Sequence, residues 1–199
     1  MKNSPDFSVV FPVMDQEDHI EKVIRSYHKK LTKQKFSFEL ISVVNCTKDN
    51  SFEICKKVAN ELPKVSAYEL KGCGFGLGIL HGLKKARGNY LCWASSARTY
   101  PDELANCLKR FLDNPEVIIS GARKKRDRFL RSLGALVYDT SCRLVVNISS
   151  SDINGIPKVF SRQTYQRLNL QFTDSMIDVE LHEKAKKLNI PVVEVPIFK

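Results

Sequence analysis

Short apolar runs alternate with helix-length segments over about the first 120 residues, and this alternation constrains the fold more than any other feature. Residues 8–12, 38–44, 65–70, 90–94 and 117–120 read as strands rich in apolar and β-branched side chains. Between the first two, Ile20, Val23, Ile24 and Tyr27 recur at helical spacing. A second helix carries Phe52, Ile54, Cys55, Val58 and Ala59, and a third follows the glycine-rich stretch 72–78. Pro101 opens a fourth at its first turn, with Asp102 and Glu103 suited to its positive end. Strands alternating with helices in this way predict an α/β chain: a mostly parallel sheet with helices on both faces. Ligands of such sheets sit beyond the carboxyl ends of the strands. Loops 13–17, 45–51 and 94–101 are therefore the places to look for a site.

The second half changes character. Residues 123–131 read R-K-K-R-D-R-F-L-R and run into a segment with Leu133, Leu136, Val137, Leu144 and Ile148 at helical spacing. Residues 153–160, two further helices and a closing strand at 191–196 follow. Neither an internal repeat nor a linker divides the chain, so residues 1–199 read as one domain.

No run of about 18 apolar residues is present to span a bilayer, and the amino terminus lacks the pattern of a secretory signal. The expectation is a cytoplasmic protein, with any membrane contact peripheral at the cytoplasmic face. Lys and Arg outnumber Asp and Glu by 32 to 22, a net charge of +10 that favours anionic partners. The basic residues lack interleaved aromatics or helix-turn-helix spacing, which argues against nucleic acid. Six cysteines, at 46, 55, 73, 92, 107 and 142, form no C-x-x-C pair and no zinc spacing. They read as small buried hydrophobes in a reducing compartment.

Familiar motifs fail. In G-C-G-F-G-L-G, residues 72–78, the position of the third dinucleotide-binding glycine holds Leu77 or Ile79, depending on the start. A P-loop, H-E-x-x-H and G-x-S-x-G are all missing.

Taken in order, however, the loops resemble glycosyltransferase family 2, nearest to its dolichyl-phosphate mannosyltransferase-like branch, from about residue 8 to residue 197. S-V-V-F-P-V-M-D-Q-E-D-H-I, residues 8–20, resembles the family's opening S-V-V-I-P-x-Y-N-E-E, with Met14 where an aromatic is usual. V-V-N-C-T-K-D-N-S, residues 43–51, is similar to V-V-D-D-G-S-x-D, with Asn45 in place of an Asp that contacts the nucleoside. Residues 74–90 resemble the family's glycine stretch before the fourth strand, and His81 there reads as a packing or capping residue. S-G-A-R, residues 120–123, resembles G-S-R after the fifth strand. S-D-I-N-G-I-P-K-V-F-S-R, residues 151–162, and D-V-E-L followed by A-K-K-L-N-I-P-V-V-E-V-P-I match later blocks. The main departure is Ser95-Ser96-Ala97, where the family carries the metal-holding Asp-x-Asp; Pro101 and Glu103 keep the register.

The resemblance implies a GT-A, Rossmann-like fold and a glycosyltransferase, inverting, that moves a hexose from a nucleotide-sugar donor to a polyprenyl-phosphate or glycan acceptor. It implies a nucleotide pocket from Pro12, Val13, Asp15, Glu17, Asn45, Gly74, Gly76, Ser95 and Ala97. It implies phosphate binding by Arg98, Arg126 and Arg131, with Arg123 and Glu180 as catalytic candidates. Arg123→Ala is then expected to lower turnover with little change in melting temperature. Asp178 and Glu180, two residues apart on a helix, point about 200° apart and cannot form an acid–base pair. Hydroxyls and a methyl do not replace two anionic oxygens, so no metal site and no cofactor are expected. A phosphate acceptor is already anionic and needs no general base. The alternative is a catalytically degenerate relative that acts as a binding or scaffold subunit.

Overall fold

The computed structural model describes residues 5–96, 100–123 and 150–197. The order is β1 (Phe7–Val13), α1 (Ile20–Lys33), β2 (Phe38–Asn45), α2 (Ser51–Glu61), β3 (Val65–Leu70), α3 (Phe75–Lys85) and β4 (Tyr90–Trp93). Then come α4 (Pro101–Asp113), β5 (Ile118–Arg123), β6 (Lys158–Ser161), α5 (Arg162–Leu168), α6 (Ile177–Lys187) and β7 (Val192–Ile197). The basic cluster beyond Arg123 and the helical pattern after it fall in 124–149, outside the described residues.

The strands form one sheet in the order β3-β2-β1-β4-β6-β5-β7. β1 pairs parallel with β2 and β4, β2 with β3, and β5 with β7. β6 runs antiparallel between β4 and β5. The sheet is thus mostly parallel, as the alternation predicts. The apolar runs have a physical cause: a strand covered on both faces has no solvent side on which to place polar residues. Every residue of β2 is buried.

Adjacent residues of β1 show the two covered faces. Phe11 meets Tyr27 of α1 with ring centroids 4.9 Å apart. Val10 points the other way, where its methyls lie so near Gly82 of α3 that a Cβ there would come within 2.3 Å. α1 buries Ile20, Ile24, Tyr27 and Leu31, a stripe at three- and four-residue spacing. Cutting Leu31 back to Ala would cost about 2–5 kcal/mol. Pro101 is the first residue of α4, and Glu103 caps it by accepting the Tyr100 N–H. Ser161 caps α5 by accepting from the Thr164 N–H. Among the described residues, no helix is long and apolar enough to cross a membrane.

On the Val10 face, one row of the sheet carries polar groups. Val10 is in register with Trp93, Trp93 with Lys158, and Lys158 with Ser120. Lys158 is fully buried and uses its three protons on Ser120 Oγ (2.8 Å), Ile153 O (2.8 Å) and His182 Nε2 (3.3 Å). His182 lies one turn after Asp178 on α6, so the helix lowers both side chains onto this row.

Candidate functional site

A cavity of about 600 Å³ opens at the carboxyl ends of the strands, where parallel sheets place their ligands. The β1–α1 loop forms one wall with Pro12, Val13, Met14 and Gln16. Asn45 at the end of β2 faces Gly74 and Phe75 at the start of α3. Ser95 and Ser96 after β4 line the cavity from below. Asn154 and Ile156, before β6, with Ser175 and Asp178 at the start of α6, complete it.

Its polar chemistry centres on buried groups. Gln16 Oε1 is a buried acceptor without a hydrogen-bond donor, while Asp178 Oδ1 and the Trp93 Nε1–H lie beside each other but short of good hydrogen-bond geometry. An orphaned acceptor such as Gln16 Oε1 is uncommon in folded chains and fits an unmet partner. Burial pushes the Asp178 carboxyl up to about 6, with the Lys158 charge and the Trp93 N–H pulling the other way. Burial and the same Lys158 charge push His182 down to about 3, so it is a neutral acceptor for Lys158. Lys158 is itself lowered by burial, while Asp178, Asp152 and Glu194 pull it up.

Of the residues the sequence singles out, Pro12, Val13, Asn45, Gly74 and Ser95 line the cavity. Asp15 and Glu17 do not, and their carboxylates are engaged elsewhere. The Asp15 carboxylate accepts from Lys48 N at 2.8 Å, and Glu17 accepts from Asn50 N and Nδ2 at 2.9 Å each. In return Asp49 accepts from Glu17 N and Ser51 N. The acidic residues therefore lace the β1–α1 loop to the β2–α2 loop and set the cavity wall from behind. Gly76 is also off the cavity, packed so closely that a Cβ would lie 2.4 Å from Phe172 O.

The two catalytic candidates, Arg123 and Glu180, are both engaged within the protein. Glu180 does not line the cavity. Its carboxylate accepts from Gln171 N, Phe172 N and Lys184 Nζ and holds the loop before α6. The guanidinium of Arg123 forms a two-pronged ion pair with buried Asp152, at 2.7 Å on each prong. Burial pushes the Asp152 carboxyl up, but Arg123 more than offsets this and leaves it lowered. Ala97, Arg98, Arg126 and Arg131 lie outside the described residues. Sequence reasoning missed Gln16, Phe75, Ser175 and the cavity-facing Asp178, which no spacing rule separates from Glu180.

Cys46 and Cys73, expected as buried thiols, form a disulfide. Cys55, Cys92 and Cys107 are buried thiols as expected, and burial pushes Cys55 and Cys107 up to about 12. His81 packs against Tyr68, with ring centroids 5.7 Å apart.

Among the described residues no group of three His, Cys, Asp or Glu converges, and the cavity lining carries one carboxylate, Asp178. Hard cations such as Mg²⁺ and Mn²⁺ take oxygen ligands from carboxylates, substrate phosphates and water, and Asp178 is the carboxylate this lining offers.

Known proteins place the chain. It is 24% identical over 212 residues to a dolichyl-phosphate beta-glucosyltransferase of Dictyostelium discoideum, covering 96% of this chain and 65% of the relative. It is 31% identical over 111 residues to the poly(ribitol-phosphate) beta-N-acetylglucosaminyltransferase TarS of Staphylococcus aureus, covering 54% of this chain and 19% of that protein. The chain thus spans less than two thirds of either relative. Among solved structures, glucosyl-3-phosphoglycerate synthase from Mycobacterium tuberculosis, in complex with Mn²⁺, UDP and phosphoglyceric acid, superposes with a TM-score of 0.72. That match is 16% identical and covers 96% of this chain and 68% of the other. A mannosyltransferase from Pyrobaculum calidifontis in complex with GDP-Man and Mn²⁺ gives 0.66 at 18% identity, covering 98% and 56%. These structures share the GT-A fold with the sheet described above. The family model for glycosyl transferase family 2 matches residues 8–168, most of the sheet and its site loops, and the chain belongs to that family.

Proposed function

We propose that the chain is a glycosyltransferase that holds the nucleoside end of a nucleotide-sugar in the cavity and passes the sugar to a polyprenyl-phosphate or glycan acceptor. The observation that carries the reading is the cavity itself, at the carboxyl ends of the strands, lined by Gln16 and Asp178, each of which holds a buried acceptor oxygen just behind the wall. Acceptors there suit donor groups on the ligand, which ribose, base and sugar all supply. The relatives' names, one acting on a dolichyl phosphate and one on a poly(ribitol phosphate), support a phosphate-bearing acceptor.

Transfer requires stabilisation of the departing nucleoside diphosphate. Arg98, Arg126 and Arg131 are the proposed cations for it, in place of a divalent metal. A phosphate acceptor attacks without losing a proton. A glycan hydroxyl must lose one, and Asp178, the cavity's carboxylate, is then the group to accept it.

The test is a thermal-shift panel of UDP, GDP, CDP and their sugars, each with and without Mn²⁺. A ligand at 100 times its Kd stabilises by about 2.7 kcal/mol. A metal-independent shift with one nucleotide class supports the transferase and identifies its donor class. Silence across the panel favours the second reading, a binding or scaffold subunit, which the loss of both Asp-x-Asp carboxylates at 95 and 97 favours.

A further inference from the structure

We propose that the Cys46–Cys73 disulfide is a reversible clamp on the cavity wall, opened by a dithiol reductant and closed by its oxidised form. The proposal rests on the reading of the cavity as a nucleotide site. The bond ties the loop after β2 to the loop before α3, across 27 residues of sequence. Cys46 directly follows Asn45, and Cys73 directly precedes Gly74; Asn45 and Gly74 both line the cavity.

Without covalent help, the Asn45 amide joins the same two loops at their base. Its Nδ2 donates to Gly74 O at 2.8 Å and to Gly72 O at 3.4 Å. Beyond Gly74 the strain of position passes onward. Gly74 has a φ of +143°, and a Cβ there would lie 2.2 Å from Thr173 O. The Leu77 N–H donates to that same Thr173 O at 2.8 Å. A shift of residues 72–74 therefore moves both the Asn45 side of the cavity and the loop that leads to Ser175 and Asp178. Cys46 also has a left-handed backbone, φ +58°, which the loop must hold without the crosslink once the bond is cut.

Access and chemistry are consistent with exchange. Cys73 is exposed and Cys46 half-buried, whereas Cys55, Cys92 and Cys107 are buried. A thiolate of the reductant attacks Cys73 Sγ; the disulfide breaks, and Cys46 leaves as a thiolate and takes a proton. The second thiol of the reductant then attacks the mixed disulfide and releases Cys73 as a thiol. Two electrons and two protons pass to the protein, and the reductant leaves as its own disulfide. With the clamp open, ligand binding must order the two loops itself. Ordering those loops on binding weakens affinity roughly tenfold.

The experiment compares the full chain, oxidised and reduced by dithiothreitol, with the double variant Cys46→Ser/Cys73→Ser. Alkylation mapping reports the bond, amide hydrogen exchange reports the loops, and titration with UDP and GDP reports the cavity. The expected result is two more reactive thiols on reduction, at Cys46 and Cys73. Exchange rises across residues 45–51 and 72–77, nucleotide binding weakens about tenfold, and the double variant matches the reduced chain with no response to dithiothreitol. Cys46 and Cys73 alkylated equally before and after reduction, unchanged exchange in these loops, or a double variant that still responds would each overturn the clamp. Exchange that rises on reduction while neither nucleotide binds in either state supports the clamp and removes the nucleotide reading of the cavity.

Discussion

Arg123 and Asp152 meet in a two-pronged ion pair, Nε to Oδ2 and Nη2 to Oδ1, each at 2.7 Å, and the Arg123 backbone N–H adds a third bond at 3.1 Å to Oδ2. The pair joins the last residue of β5 to the loop that supplies Asn154 and Ile156 to the cavity. Asp152 is 2% exposed, so deleting Arg123 leaves a buried carboxylate unpaired. Arg123→Ala is expected to destabilise by about 3 kcal/mol, as for other buried pairs broken on one side. For a chain of this size that is a fall of roughly 10 °C in melting temperature. A calorimetric melt decides. An unchanged melting temperature would return Arg123 to the acceptor-binding role expected from the resemblance.

Asp178 gives a pH signature. Its carboxyl is raised by burial to about 6 in the folded chain against 3.8 for the ordinary group. Between those values the folded state holds the extra proton, so stability falls as pH rises through the window, and the penalty is complete above about 6. Asp178→Asn removes the penalty. The variant is expected to match the parent near pH 4 and to exceed it at pH 8, by up to roughly 3 kcal/mol. His182 works in the opposite direction. Held down to about 3, it costs stability as pH falls below 6.5. That contribution is common to both proteins and cancels in the difference. Urea melts of the pair at the two pH values are the measurement, and a difference that does not grow with pH would refute the burial argument.

Strands and site loops were legible in the sequence because their causes are local or generic. Strands covered on both faces read as apolar runs, and a parallel sheet sends its ligand to the loops after its strands. Loops 13–17, 45–51 and 94–101 accordingly contribute Val13, Gln16, Asn45, Ser95 and Ser96 to the cavity. What side chains do once there was not legible. Asp15 and Glu17 sit in the right loop but spend their oxygens on backbone more than 30 residues away. A two-residue spacing shows that Asp178 and Glu180 diverge, yet only the packing of α6 decides which one faces the cavity. Cys46 and Cys73 meet where the Asn45 amide also holds the 72–74 loop, and Lys158 is buried because register sets it beside Ser120 and Trp93. Neither follows from spacing along the chain.

Asn45 stands where the family carries Asp, and the structure supplies a reason for the amide. Its Nδ2 donates to Gly74 O and Gly72 O, so a carboxylate would set oxygen against two carbonyls at a site 5% exposed. Asn45→Asp is expected to cost about 1–3 kcal/mol at neutral pH, the usual penalty for a buried polar group left unmatched. The deficit should shrink in acid, where a protonated carboxyl can donate again. Melting curves at pH 5 and pH 8 test both parts; equal stability of variant and parent at pH 8 would remove the amide from the loop's support.

Glu180 separates support from catalysis by a different route. It is 4% exposed, and its two oxygens accept from Gln171 N (2.9 and 3.0 Å), Phe172 N (2.8 Å) and Lys184 Nζ (2.7 Å). The loop it holds leads to Thr173, whose carbonyl packs on Gly74 and accepts from Leu77 N. Glu180→Ala strips acceptors from two loop N–H groups and should destabilise by about 2–3 kcal/mol, with nucleotide affinity falling as the loop loosens. Glu180→Gln keeps one acceptor oxygen and should recover most of the melting temperature and most of the affinity. A catalytic carboxylate behaves otherwise: both variants would melt with the parent, bind nucleotide normally and be equally inactive. Melting temperature and affinity measured together for the two variants therefore assign Glu180 to the loop or to the chemistry.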